Sequence, residues 1–329
     1  MLGKQEAIMA DARAFMKSRV LLTAAELDLF TRLDEKPRTA QQLAVETGLD
    51  ERALTRILDA LAAFKLLNKQ GGLYTLAEQG EFYSSRHPET VLPMIRHMNH
   101  LWDKWGQLTN ILRDGVGADR DSGIQVEDDD DWNSFIDAMH VVGLHLSQQI
   151  AGDYDAGRFR RLLDIGGGSG TYTIAFLNKN PGMSAVLFDF AKVLPLARAR
   201  IGAAGLAERV ELAAGDFYTD PLPGGCDLAL LSAIIHQNSP EENLELYRKI
   251  WQALEPGGAV LIRDYMMDES RTAPPPGALF AINMLVATKG GGTYTFAETQ
   301  QALEQAGFMR VRLAREGQGM DSLVEAVKG

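Results

Sequence analysis

Four glycines stand within five positions, Gly166-Gly167-Gly168-Ser169-Gly170, directly after an apolar run that contains an acid, Leu162-Leu163-Asp164-Ile165. Glycine admits backbone with φ > 0 and lets the main chain approach a ligand closely. A helix opening after such a turn offers unpaired N–H groups. Strand, tight turn and helix in this order make a site shaped for a nucleotide. Two further acids end apolar runs downstream: Asp189, 25 residues after Asp164, and Asp216. A carboxylate at that spacing suits hydrogen bonds from ribose hydroxyls, as in NAD-type sites. The glycines, however, follow Gly166-x-Gly168-x-Gly170 rather than Gly-x-Gly-x-x-Gly. That pattern lacks a strong pyrophosphate cradle and fits a nucleoside with an amino-acid tail better.

These residues need a scaffold that brings strand ends together. From residue 161 onward the patterning alternates: strands over 161–165, 184–190, 210–215, 227–235 and 259–265, and helices over 169–178, 193–204, 240–254 and 295–306. Two last strands, 309–314 and 322–327, read as an antiparallel hairpin at the sheet edge. The expectation is a doubly wound, mostly parallel α/β sheet with its ligand at the carboxyl ends of the strands.

The first ninety residues read differently. Residues 11–33 have helical spacing, closed by Pro37. Thr39 caps a helix that Gly48 ends, and Asp50 caps the next, whose apolar face is Leu54, Ile57, Leu58, Leu61 and Phe64. Two short strands around Gly71-Gly72 complete a winged helix. Such a module binds DNA or serves as a dimerisation scaffold. Residues 1–85 hold eleven Lys or Arg against twelve Asp or Glu, and Asp50 and Glu51 open the candidate recognition helix. Phosphates would be repelled, so the scaffold reading leads.

Between the two regions, residues 91–112 form a helical segment with Met94, Met98, Trp102, Trp105, His97 and His100. Residues 113–131 read as an exposed Gly- and Asp-rich loop, and Trp132 starts a helix through Phe135, Met139 and Leu146. Methionines and aromatics so placed build either plain core or an apolar substrate pocket. Neither the pair His97 and His100 nor the pair His140 and His145 has a matching ligand motif nearby, so no metal site is expected. The expected domains are 1–90, a winged-helix, mainly α, dimerisation domain; 91–150, a helical linker contributing to the substrate pocket; and 151–329, the nucleotide-binding domain.

A chain of 329 residues with 46% hydrophobic and 23% charged residues is long enough for two ordinary globular domains. Its net charge of −11 argues against a broad nucleic-acid surface. No apolar run reaches the roughly 18 residues needed to span a bilayer, and a cytoplasmic location is the default expectation. Cys226, the only cysteine, allows no intrachain disulfide and reads as a small core residue.

Taken together, Leu163-Asp164-Ile165-Gly166-Gly167-Gly168-Ser169-Gly170, Phe188-Asp189-Phe190, Gly215-Asp216-Phe217 and Glu255-Pro256-Gly257-Gly258 resemble the class I S-adenosylmethionine-dependent methyltransferases. More narrowly, nearly the whole chain is similar to the plant-type small-molecule O-methyltransferases and their bacterial relatives. In these a winged-helix dimerisation domain precedes the catalytic domain. The resemblance implies a homodimer, S-adenosylmethionine as cofactor, S-adenosylhomocysteine as product, and no metal. Asp164, Gly166 and Gly168 would border the methionine part, Asp189 the ribose, and Asp216 with Phe217 the adenine; Phe190 and Ser232 also fall at cofactor positions.

The family places a His-Asp-Trp motif after the fourth strand, with the His as general base, and His236 stands there. The carboxylate that orients it in relatives falls, 28 residues on, at Asp264. A histidine of ordinary pKa, about 6.5, suits removal of an acceptor proton, and a buried carboxylate suits fixing its tautomer. Trp102, Phe135, Met139, Asn283, Met284 and Tyr294 are the candidate substrate wall, for a small hydroxylated aromatic or polyketide-like acceptor. Gln237-Asn238 replace Asp-Trp, Thr293 stands where relatives place a second glutamate, and Ser232 replaces a lysine common in plant members. Transfer to carbon or nitrogen, a ligand-sensing DNA-binding regulator and an NAD-type dehydrogenase stand as alternatives.

Overall fold

The computed structural model describes residues 3–116 and 129–329, without the side chains of 129–134. It divides into two compact units, Met1–Trp102 and Asp103–Gly329.

The first unit opens with α1 (Lys4–Glu26) and α2 (Leu29–Glu35), where the sequence pattern suggests one continuous helix. The break falls at Asp28, whose φ is 54°. Asp tolerates this left-handed backbone, and its carboxylate accepts from Thr31 Oγ1 at 2.7 Å. There follow β1 (Arg38–Thr39), α3 (Ala40–Thr47) and α4 (Glu51–Ala63). Thr39 and Asp50 cap the two helices as expected, accepting from Gln42 and Ala53 N–H. The wing is β2 (Leu67–Gln70) and β3 (Leu73–Leu76), with β3 between β1 and β2. Leu29, Phe30, Leu43, Leu54, Leu58 and Leu61 form its core. The unit closes with α5 (Glu78–Glu81) and most of α6 (Leu92–Gly106).

Residues 91–112 thus hold two helices, because the chain leaves α6 at Gly106 and re-enters a helix as α7 (Leu108–Asp114). Of the expected loop, 117–128 lie outside the described residues. The next helix, α8 (Asp129–Asp153), starts ahead of Trp132.

The second unit alternates β4 (Arg161–Ile165), α9 (Thr171–Lys179), β5 (Ser184–Asp189), α10 (Leu194–Ala203), β6 (Val210–Ala214), β7 (Cys226–Ser232), α11 (Pro240–Ala253) and β8 (Leu254–Asp264). Then come β9 (Met266–Met267), α12 (Pro275–Ala287), β10 (Tyr294–Thr295), α13 (Phe296–Gln305), β11 (Phe308–Arg315) and β12 (Ser322–Lys328). The main sheet has the order β11-β12-β8-β7-β4-β5-β6. Strands β6, β5, β4, β7 and β8 are parallel, while β12 runs antiparallel between β8 and β11. The final hairpin is present, but its second strand is interior.

Alternate residues of each central strand enter two cores, one around Leu163, Ile262 and Tyr247, the other around Leu162, Leu261 and Phe176. Strand order reverses at β4, which pairs with β5 on one side and β7 on the other. An α/β sheet opens its ligand crevice at such a switch point. Among the described residues no helix is long and apolar enough to cross a membrane.

Leu58 is fully buried whereas Val45 is 81% exposed. Urea unfolding should therefore show Leu58→Ala losing about 2–5 kcal/mol, and Val45→Ala changing stability by less than about 0.5 kcal/mol.

Candidate active site

The crevice begins where β4 runs into the glycine turn. Gly166 has φ 66° and donates its N–H to Phe188 O at 2.9 Å. At this positive φ any side chain would be strained, and a Cβ would also press on Ile234 Cδ1 at 2.8 Å. Gly168, at φ 56°, donates to Asp189 Oδ2 at 2.7 Å. Asp189 also accepts from Phe190 N–H at 2.7 Å. One carboxylate at the end of β5 thus holds the turn that follows β4.

Beneath the turn Asp164 is 2% exposed and accepts from Thr173 Oγ1 at 2.6 Å. Burial raises its pKa to about 6; the Thr173 hydrogen bond works against that rise and the neighbouring Asp189 adds to it. Asp189 is itself pushed up by burial, against the two backbone N–H bonds.

Above the turn, α8 is pinned by polar contacts. His140 Nδ1 meets Thr171 Oγ1 at 2.8 Å, and Arg200 bridges Ser169 Oγ and Asp137 Oδ1, each at 2.7 Å. Burial and Arg200 both lower the His140 pKa, which keeps the imidazole neutral. Phe135 and Met139 are half-buried and four residues apart on this helix, so they share a face.

At the far side of β4, β7 stops at Ser232 rather than running on to Ile235. Ala233 adopts φ 57° and donates to Arg263 O at 2.8 Å, and a 3-10 turn, Ile235–Gln237, follows. This turn presents His236 to the end of β8. Its Nδ1 lies 2.9 Å from Asp264 Oδ2 and 3.1 Å from Oδ1. Both side chains are almost completely enclosed. A carboxylate facing Nδ1 selects the tautomer with the proton there, leaving Nε2 to accept one. Among the described residues Asp264 is the only acid hydrogen-bonded to His236. Thr293 is buried, and its carbonyl accepts from Arg271 Nη1 at 3.0 Å.

The Phe280 ring of α12 meets the imidazole edge-on, with centroids 4.9 Å apart, and Tyr265 packs on Phe280 at 5.2 Å. One helical turn further, Asn283 Oδ1 accepts from Trp105 Nε1 at 2.9 Å. Met284 is 1% exposed, within the packed body of the unit. Tyr294 stands apart from this group: its hydroxyl donates to Asn238 O, and its ring lines a cavity of about 270 Å³ between α11 and α13. Trp102 belongs to the first unit, where Arg19 lies 5.3 Å over its ring. Ser232 Oγ accepts from Arg263 Nε at 2.7 Å, so a guanidinium from the next strand reaches the position where plant relatives carry lysine.

Sequence reasoning passed over Phe280, Tyr265, Tyr218, Asn243 and Lys249. Phe280 and Tyr265 look like ordinary apolar residues in one dimension. The fully or nearly buried amides Asn238 and Asn243 left a signal, two polar residues inside an apolar stretch, that spacing alone did not connect.

A glycine turn over two buried acids and an enclosed His–Asp pair at neighbouring strand ends place the candidate site at the switch point of a doubly wound sheet. Comparison with known proteins narrows the class. A family profile described as an O-methyltransferase domain matches residues 105–309, and one described as an O-methyltransferase dimerisation domain matches residues 9–86. The tetracenomycin polyketide synthesis 8-O-methyl transferase TcmO of Streptomyces glaucescens is 32% identical over 305 residues, 91% of this chain and 90% of that protein. The 3-hydroxy-5-methyl-1-naphthoate 3-O-methyltransferase of Streptomyces sahachiroi is 31% identical over 96% of this chain and 93% of its own length. The solved structure of PigF with SAH superposes with a TM-score of 0.89 at 28% identity, covering 99% and 100% of the two chains. The chain belongs to the O-methyltransferase family, and is an S-adenosylmethionine-dependent methyltransferase.

The pKa of Asp164 sets a stability signature. Its folded value, about 6, lies above the unfolded 3.8, so the native state holds the extra proton between them. Stability from this group is intact below about pH 4 and lost as pH rises toward 6, by roughly 2–3 kcal/mol. Thermal melts over pH 4–7 should show Asp164→Asn with a shallower decline than the parent chain. An unchanged slope would count against the burial account.

Proposed function

We propose that this enzyme methylates a hydroxyl of a small aromatic or polyketide-like acceptor, with His236 as general base and Asp264 as its orienting carboxylate. The observation that carries the reading is the enclosed His236–Asp264 pair, with the Phe280 edge against the imidazole. The relatives named for polyketide and naphthoate acceptors support the acceptor class.

The glycine turn fits a nucleoside with an amino-acid tail. Asp164, Gly166 and Gly168 would lie along the tail, Asp189 and Phe190 along the ribose, and Asp216 and Phe217 along the adenine. When bound, S-adenosylmethionine supplies a methyl group already activated on a sulfonium. The protein then has to align the acceptor oxygen and take its proton, and His236 Nε2 is the acceptor for that proton. With Thr293 in place of a second acid, Asp264 alone stabilises the imidazolium that forms. Phe280, Tyr265 and the Trp105-bound Asn283 offer aromatic faces and one amide to a flat acceptor, with Phe135 and Met139 from α8 and Met284 from α12 in the same unit.

We further propose a homodimer through the first unit, whose α1 leaves Ile8, Met9, Phe15 and Met16 exposed.

Replacement of His236 by Ala should lower kcat on hydroxyaromatic acceptors about 10²- to 10⁴-fold, with S-adenosylhomocysteine affinity, read by calorimetry, within twofold of the parent. Full turnover by the variant would end the base assignment and favour transfer to carbon or nitrogen, which mass analysis of the methylated product identifies.

A further inference from the structure

The loop after β6, which carries Asp216 and Phe217, is tied down at two ends. Lys249 of α11 directs its ammonium at three main-chain oxygens of that loop, Phe217 O at 2.9 Å, Tyr218 O at 2.8 Å and Asp220 O at 3.0 Å. An ammonium has three protons, so the loop takes all of them. Within the loop Tyr218 N–H donates to Asp216 Oδ1 at 2.8 Å, and the Phe217 and Tyr218 rings lie 4.5 Å apart.

The other end reaches the base. Tyr218 donates its hydroxyl to Asn238 Oδ1 at 2.5 Å. Asn238 is fully buried and donates through Nδ2 to Asn243 Oδ1 at 3.0 Å, and Asn243 Nδ2 donates to Ile235 O at 2.9 Å. Ile235 directly precedes His236. Burial pushes the Tyr218 pKa up, which keeps the hydroxyl protonated as a donor. Each side-chain polar atom of Tyr218, Asn238 and Asn243 has a partner in this chain of contacts, and a satisfied network specifies one geometry. The acceptor for Tyr218 is the amide oxygen of Asn238, whose Nδ2 is left to donate onward to Asn243.

We propose that Tyr218 is a positioning residue that ties the adenine-side loop to the turn carrying His236, with Lys249 fastening the loop from behind. The tie makes the place of the imidazole depend on the place of the loop. It rests on the reading of His236 as base and of Phe217 as the adenine wall.

Tyr218→Phe removes one oxygen and keeps the ring. In this variant the S-adenosylhomocysteine Kd should rise about three- to tenfold, and kcat at saturating cofactor and acceptor should fall about tenfold, while the acceptor KM stays within twofold. An unchanged kcat, with or without a weaker Kd, overturns the tie. Should that variant fail to fold, Lys249→Met against Lys249→Arg tests the same tie: the Met variant should lose affinity and kcat together and the Arg variant keep both, whereas a Met variant with unchanged kcat overturns it. Active His236→Ala protein would instead bring down the base reading, so the two failures are distinguishable.

Discussion

A carboxylate 1% exposed is tolerable only where protein donors replace the water it has lost, and Asp264 has two such donors. They are the His236 imidazole and the Tyr265 N–H at 2.8 Å. Much of the catalytic unit is arranged to satisfy that one group. Strand β8 must be central to deliver the acid into an enclosed place; β7 must end at Ser232 so that the chain can turn; and Ala233 accepts a left-handed backbone to make the turn. Gly292 N–H then holds His236 O at 2.8 Å from the opposite side. The imidazole is oriented from its ring nitrogen and from its main chain at once.

A second constraint lies one strand away. Asp189 lies close enough to the buried Asp164 to disfavour its charge, and burial disfavours the charge of both. Their backbone and hydroxyl donors only partly offset the burial. On the proposed reading of this turn as the cofactor's cradle, the two acids face a ligand whose ammonium and sulfonium outweigh its carboxylate by one positive charge.

Much of this was readable in one dimension, for a physical reason. Glycine runs, strand-end acids and caps such as Thr39 and Asp50 act through local backbone geometry, and local geometry is written in adjacent residues. The winged helix and the parallel order of β4 to β8 followed from periodicity and turn residues. What stayed hidden depends on contacts between distant segments. The break at Asp28 is stabilised by a side chain three residues on and looks like uninterrupted helix. The Tyr218, Asn238 and Asn243 network spans 25 residues and three elements, and each member alone is an unremarkable polar residue. The interior place of β12 is a matter of which edge the hairpin joins, which alternation does not encode.

That placement of β12 has a consequence for how the protein is made. Strand β8 pairs with β12 along six residues, Ala259 to Asp264 against Val327 to Ser322. During synthesis from the N-terminus, β8 leaves the ribosome nearly sixty residues ahead of the strand that will cover it. Through that interval it is an open, strongly apolar sheet edge, the kind of surface that invites pairing with the wrong chain. A nascent chain carrying Asp264 and His236 therefore holds the proposed base and its orienting carboxylate while the sheet that supports them is still unfinished. Competence and protection from aggregation arrive together, when the last strand is laid down.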